Sequence, residues 1–201
     1  MSSRQGDASP NKDLAAQVAT LGYWYHKINL PGGTVTPGWA PIDPAAYRVP
    51  QDLTGKRVRD VGAWDGYWTF KALKRGSAAS TMSFSFFGLL YHLRHPLLAL
   101  DRLAALCDEA IFVESAILDD YSPYRGGIGH GYAGGQMVME FYPDSQYGNN
   151  TTNYWVPTLH CLGQMVRSAG FTHVDGGKLI EKPDSVPHCR GIIVGQREPK
   201  L

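Results

Sequence analysis

The sequence predicts an α/β fold with a mostly parallel sheet, and three observations predict it. From Lys56 onward, apolar runs of strand length alternate with runs of helical period. One of these strand-like runs ends in a turn bracketed by Gly62 and Gly66 and leads straight into a helical pattern. The chain has 201 residues, 43% of them hydrophobic, enough to bury one sizeable core, and it shows no internal repeat.

Taken in order, residues 1–10 are polar and are expected to fray. Asp13 stands where it would cap a helix over LAAQVATLGYWYHKI, with Leu14, Val18, Leu21 and Tyr25 on one face. The stretch NLPGGTVTPGWAPIDPAAYRVPQDLTGK is dense in Pro and Gly yet rich in aromatic anchors. It reads as an ordered cover segment, the plain alternative being a surface loop. An N-terminal part, 1–55, is thus set off from an α/β part, 56–201, within one compact domain. The α/β part reads as strand 58–61, helix 67–75, strand 82–90 and a helix over HPLLALDRLAALC, where Pro96 suits the first turn. Strand AIFVESAIL and a Gly-rich loop over 125–153 follow. Helix VPTLHCLGQMVRSAG comes next, then strand FTHVDGGKLIEK and a last strand RGIIVGQRE that pairs with it as a hairpin.

Composition narrows the function classes. The net charge is +1 with no basic stripe, so nothing demands nucleic acid. No apolar run reaches the roughly 18 residues of a membrane span, and MSSRQGDASPNKD lacks the apolar core of a signal peptide, so a cytoplasmic protein is expected. Cys107, Cys161 and Cys189 are odd in number and widely spaced, against both a disulfide framework and a zinc knuckle. His92 and His95 with Glu114 or His130 lack a further ligand at helical spacing, and no metal is expected.

Ligands of open α/β sheets bind at the carboxyl ends of strands, usually at the first strand–helix turn. Gly62 and Gly66 let backbone approach a ligand closely, and Asp60 can fix the loop or meet an ammonium group. A nicotinamide site would need a third glycine and a downstream ribose acid, and both are missing.

The segment LTGKRVRDVGAWDGYWTFKALKRG resembles the first motif of class I S-adenosylmethionine-dependent methyltransferases, a strand followed by D-x-G-x-x-x-G filled here by Asp60, Gly62 and Gly66. With FFGLLYHLRHPLLALDRL, NYWVPTLHCLGQMVRSAGF and the cover segment, it resembles relatives of the bacterial wobble-uridine carboxymethyltransferases, over about residues 20–175. The resemblance implies a Rossmann-like methyltransferase fold, with helices on both faces of the sheet. It also implies S-adenosylmethionine, or a sulfonium-modified relative, as cofactor. Asp60, Gly62, Ala63 and Gly66 would then hold the methionine part, while Trp64 and Trp68 read equally well as packing aromatics. Tyr91 matches a tyrosine that helps hold the sulfonium substituent; His92 joins the cofactor set and Arg94 the substrate set, both at a strand's carboxyl end. Glu140, Tyr142, Asn153 and Trp155 resemble the family's substrate loop.

Methyl transfer needs an oriented nucleophile and, for a hydroxyl or amine, a base. Glu114 and His130 are the candidates, a solvated loop histidine being the alternative for the second. The implied reaction is methyl transfer to a small molecule or nucleoside; transfer RNA is disfavoured, because the basic surface it would need is not evident. The other reading is a non-catalytic binding or scaffolding protein with an incomplete cofactor pocket.

That second reading has a specific source. A full fold of this family has two more strand–helix units after the first helix, including the acid that binds the ribose hydroxyls. Only SAAST separates Gly76 from the next strand, whereas a βαβ unit needs about 30 residues. An internal deletion, a wall supplied by a second subunit, or a segment omitted between Gly76 and Met82 would each account for it. The first strand should then lie beside the 82–90 strand with a far edge that is covered, by 20–55 or in a homodimer.

Overall fold

The computed structural model describes residues 12–40, 43–77, 81–132 and 134–198. The polar 1–10 stretch and residues 78–80 of the short SAAST connection lie outside them. A first helix, α1 (Lys12–Thr20), precedes an irregular segment that leads to β1 (Lys56–Val61) and α2 (Tyr67–Lys74). Then come β2 (Thr81–Phe87), α3 (Pro96–Leu106) and β3 (Ala110–Ala116). Two short antiparallel ribbons follow, β4 (Tyr121–Ser122) with β5 (Gly127–Ile128), and β6 (Met139–Phe141) with β7 (Trp155–Pro157). The chain closes with α4 (Leu159–Ser168), β8 (His173–Lys178) and β9 (Arg190–Gln196).

The main sheet has the order β1-β2-β3-β9-β8. The pairs β1–β2 and β2–β3 are parallel, and β9 runs antiparallel to both of its neighbours, so it alone is reversed. The expected α/β sheet, the juxtaposition of the first two strands and the terminal hairpin are all present. Among the described residues no strand pairs with the outer side of β1. Its start is closed instead by Ser77, whose hydroxyl donates to the Lys56 carbonyl at 2.9 Å.

Because side chains alternate along a strand, the register decides what faces what. Phe84, Phe86, Ile111, Val113 and Ile193 share one face and pack under Leu100 and Ala104 of α3 and Leu162, Met165 and Val166 of α4. The other face carries Asp60, Phe87, Glu114 and Arg190 at the strand ends. It is covered by Tyr67 and Trp68 of α2, together with Tyr47 from the N-terminal segment. α2 lies on one face and α3 and α4 on the other.

Several boundaries differ from expectation for local reasons. Asp13 lies inside α1 rather than ahead of it, and the helix stops before Gly22 at φ +77°. Leu21 is consequently 70% exposed, so only Val18 of the expected apolar face is buried. The 82–90 strand stops at Phe87 because Gly88 turns at φ +66°, and Leu90–His92 form a 3₁₀ turn. The expected 125–153 loop contains β5 and β6.

α4 approaches β9 closely enough to exclude side chains there. A Cβ on Gly195 would lie 2.6 Å from Val166 Cγ1 and 3.0 Å from Phe171. Overpacking of this kind costs about 1–3 kcal/mol. Gly195→Ala should lower the unfolding free energy by that amount in denaturant titration, and an unchanged midpoint would contradict this packing.

Candidate active site at the glycine turn

The carboxyl ends of β1, β2 and β3 open into a cleft of about 350 Å³. Its floor is the glycine turn. Gly62 adopts φ +82° and a Cβ there would press on Leu89 Cδ2 at 3.1 Å, so both conformation and space favour glycine. Gly66, also left-handed, precedes the first residue of α2 and lies off the cleft. Asp60 fixes this turn: Oδ2 accepts from the Thr69 amide and hydroxyl, each at 3.0 Å, and Oδ1 accepts from Ser85 Oγ at 3.1 Å.

The roof is the 20–55 segment, held by Asp65. Its Oδ2 accepts from the amides of His26 at 2.7 Å and Tyr25 at 3.1 Å, and its Oδ1 pairs with His26 Nδ1 at 2.9 Å. The Asp65 side chain is only 2% exposed. Burial alone would raise its pKa, but the bonds from His26 outweigh that and hold it below the usual carboxylate value. The His26 ring stacks on Tyr67 with centroids 4.3 Å apart. Gly38 passes against the His26 backbone so closely that a Cβ would lie 2.0 Å from its carbonyl carbon. At the mouth stand three exposed rings, Tyr23, Trp39 and Trp64, the last at a strained φ of +42°. Trp39 Nε1 donates to Tyr23 OH at 2.9 Å, and the Tyr23 and Trp64 rings lie 5.4 Å apart.

The back wall is a buried ion pair. Arg190 Nε donates to Glu114 Oε1, Nη2 donates to Oε2 at 3.0 Å, and Nη2 also reaches Tyr91 OH at 3.1 Å. Burial would lower the guanidinium pKa, but Glu114 and Tyr91 facing it more than offset this and keep it charged. Glu114 is therefore committed to a cation.

His92 differs from Glu114. Its Nδ1 lies 2.9 Å from the Thr152 carbonyl, which can only accept, so Nδ1 carries the hydrogen. Burial lowers its pKa below the ordinary imidazole value. The neutral ring then keeps its lone pair on Nε2, the state a general base requires.

Of the residues singled out from sequence, Asp60, Gly62, Ala63, Tyr91, His92, Glu114 and Asn153 line the cleft. Six others do not. His130 is exposed beside Gly126 in the turn after β5. Arg94 sits over the Tyr154 ring at 4.6 Å, and Trp155 pairs with Phe141. Gly66 shapes the turn from behind. Glu140 is buried under the hydroxyls of Ser122, Tyr132 and Tyr142, and Tyr142 is core. Sequence reading missed Arg190, Asp65 as the latch, Tyr25, His26, Trp39 and Tyr147. The available signal for Arg190 was a charge heading the otherwise apolar run GIIVG.

No protein-family model and no curated protein sequence matches the chain. Solved structures do match. The N-terminal domain of EvdMO1, solved in the presence of SAH and D-fucose, superposes with a TM-score of 0.58 at 14% identity, covering 96% of this chain and 100% of that one. The 1,6-didemethyltoxoflavin-N1-methyltransferase of Burkholderia thailandensis, with bound 1,6-didemethyltoxoflavin and S-adenosylhomocysteine, gives 0.51 at 17% identity over 97% of this chain and 93% of that one. A putative S-adenosylmethionine-dependent methyltransferase from Listeria monocytogenes gives 0.50 at 10% identity, over 78% and 100%. The chain has the Rossmann-like fold of these structures, the last two of which are named as methyltransferases.

The roof should open with acid. A carboxylate whose folded pKa is depressed contributes stability above its unfolded pKa and loses it as pH falls through the folded value. Tryptophan fluorescence should report release of the roof as pH drops below the normal carboxylate range. In Asp65→Asn the roof should be loosened at neutral pH, with no acid transition of its own; an acid transition unaltered by the substitution would contradict the latch.

Proposed function

We propose that the chain is an S-adenosylmethionine-dependent methyltransferase acting on a small molecule, with His92 as general base. One observation carries this reading: the strand-end glycine turn and a histidine whose pKa burial lowers, with no hydrogen bond at Nε2 among the described residues, line the same roofed cleft. The fit to the cofactor is good at one end. Gly62 and Ala63 offer backbone without a blocking side chain, beside Asp60 and Tyr91. At the other end no strand beyond β1 presents an acid among the described residues, and the Tyr23, Trp39 and Trp64 faces are the surface available to a flat base.

When bound, the cofactor supplies an electrophilic methyl group on a sulfonium. The protein's own part is to exclude water under the roof, orient the acceptor and take its proton on His92 Nε2. Glu114 holds Arg190, whose Nη2 reaches Tyr91 OH, so the pair acts as a positioning group for that hydroxyl. The motifs around 60–66, 91–96 and 153–171 support placing the chain in the carboxymethyltransferase-related branch, and the bound small molecules of the structural neighbours support a small or nucleoside-type substrate.

A second reading, a methyltransferase-like binding protein, is favoured by the outer edge of β1, where among the described residues no further strand pairs and none presents an acid for the ribose hydroxyls. Losing bonds to a charged acceptor costs about 1.5–3 kcal/mol each.

The two readings separate on methyl transfer from radiolabelled S-adenosylmethionine to a panel of small hydroxyl and amine acceptors. His92→Ala should reduce turnover by about a hundredfold or more. Wild-type kcat should rise with pH through an apparent pKa below the ordinary imidazole value, reaching its plateau by neutrality. Turnover indifferent to His92, or none with any acceptor, would count against the enzyme reading.

A further inference from the structure

Exposed aromatic surface is concentrated at the mouth of the cleft. Tyr23 is 60%, Trp39 49% and Trp64 67% exposed, and all three line the cleft. Apolar surface gathered in this way marks an interaction site, whereas scattered apolar residues need no explanation. The rings are fixed relative to one another. Trp39 Nε1 donates to the Tyr23 hydroxyl at 2.9 Å, and the Tyr23 and Trp64 rings lie 5.4 Å apart. Tyr25 meets Trp39 edge-on at 5.1 Å and lies 5.9 Å from Trp64. Its carbonyl accepts from the amides of Trp39 at 3.0 Å and Ala40 at 2.7 Å, and its own amide donates to Asp65, the residue after Trp64. A ligand seated here would immobilise little that is not already held.

Trp64 is the strained member. A bulky side chain at φ +42° is an outlier, and such strain gathers at ligand sites. Contacts with Tyr23 and Tyr25 still leave the residue two-thirds exposed, so at least one face of the indole is open. The sheet order gives the end of a ligand that this ring would meet. Trp64 stands in the turn after β1, directly behind Gly62 and Ala63, whereas Tyr91 and His92 follow β2, Glu114 lies in β3 and Arg190 opens β9. An acceptor presenting its nucleophile to His92 occupies the polar side of the cleft. A cofactor with its methionine part on Gly62 and Ala63 is left the rings for its base.

We propose that Trp64, with Tyr23 and Trp39, is a stacking platform for the adenine of the cofactor, in place of the strand that no described residue supplies beyond β1. The ligand chemistry is a flat, uncharged heteroaromatic base, and its source is the cofactor and not the acceptor. This rests on the methyltransferase reading for that source, while stacking itself is measured by binding alone.

The probes are S-adenosylhomocysteine, 5′-methylthioadenosine and caffeine, followed on the intact protein by tryptophan fluorescence and calorimetry. The two adenine-bearing ligands should quench emission. Trp64→Gly should remove most of that quenching and weaken both ligands about tenfold or more. Glycine suits the left-handed backbone, so this variant should keep the circular dichroism of the wild type. Tyr23→Ser, in the roof instead of the turn, should weaken both ligands severalfold and serves as the test if Trp64→Gly does not fold. Caffeine, a flat base with no amino-acid end, should quench the free protein and be displaced by S-adenosylhomocysteine. Caffeine quenching that persists under saturating S-adenosylhomocysteine would give the rings to the acceptor and overturn the assignment. Binding of S-adenosylhomocysteine with unchanged affinity in both variants would overturn the platform and leave the methyltransferase reading standing. Quenching by methylthioadenosine that depends on Trp64, without any binding of S-adenosylhomocysteine, would discard the cofactor as the source of the base, and the methyltransferase reading with it.

Discussion

One carboxylate, Asp65, joins the glycine turn to the roof of the cleft. Asp65 lies in the glycine turn after β1, yet it spends its acceptor capacity on the amides and ring of the segment 40 residues upstream. The far end of this Pro- and Gly-rich segment is fixed separately, by Tyr47 packing on Trp68 and Phe87. With both, Tyr25, His26, Trp39 and Tyr47 close over the strand ends where ligands of α/β sheets bind. The roof and the turn are therefore one structure, and the exposed Trp64 next to Asp65 is held in its left-handed conformation at their junction.

A second constraint sets the wall opposite. Glu114 and Arg190 come from neighbouring antiparallel strands and meet in a nearly water-free site, where breaking one partner leaves an uncompensated charge costing about 3–5 kcal/mol. An arginine so paired offers little to an anion, and both carboxylate oxygens of Glu114 are taken up by its guanidinium. The base role proposed above for His92 rests on its place in the lining, on Nδ1 lying against the Thr152 carbonyl and on the burial that lowers its pKa.

How much of this could be read from the sequence follows from the range of each interaction. The glycine turn was legible because strand period, left-handed glycines and helical period are all local, and the α/β order followed from their alternation. The terminal hairpin was legible for the same reason. The pair Glu114–Arg190 was not, since its members are separated by 76 residues and only the register of β3 against β9 joins them. His130 looked eligible as a histidine among glycines, but it lies exposed in the turn after β5 and does not line the cleft. Glu140 and Tyr142 looked like substrate contacts because they are polar and aromatic in a loop. They instead satisfy one another inside a secondary core that includes Tyr147 and Val156. Leu21 failed as a core residue because Gly22 ended its helix, a local signal that the apolar spacing overrode.

The central claim is that the glycine turn beneath the Asp65-held roof is a cofactor site. Calorimetric titration of the intact protein with S-adenosylhomocysteine, beside a Gly62→Val variant, tests it most directly. The added side chain would meet Leu89 and the left-handed backbone at once. The account predicts one site per chain in the wild type and loss of binding in the variant, with circular dichroism of the two proteins alike. Binding of equal affinity in both, or no binding by the wild-type chain, would contradict it.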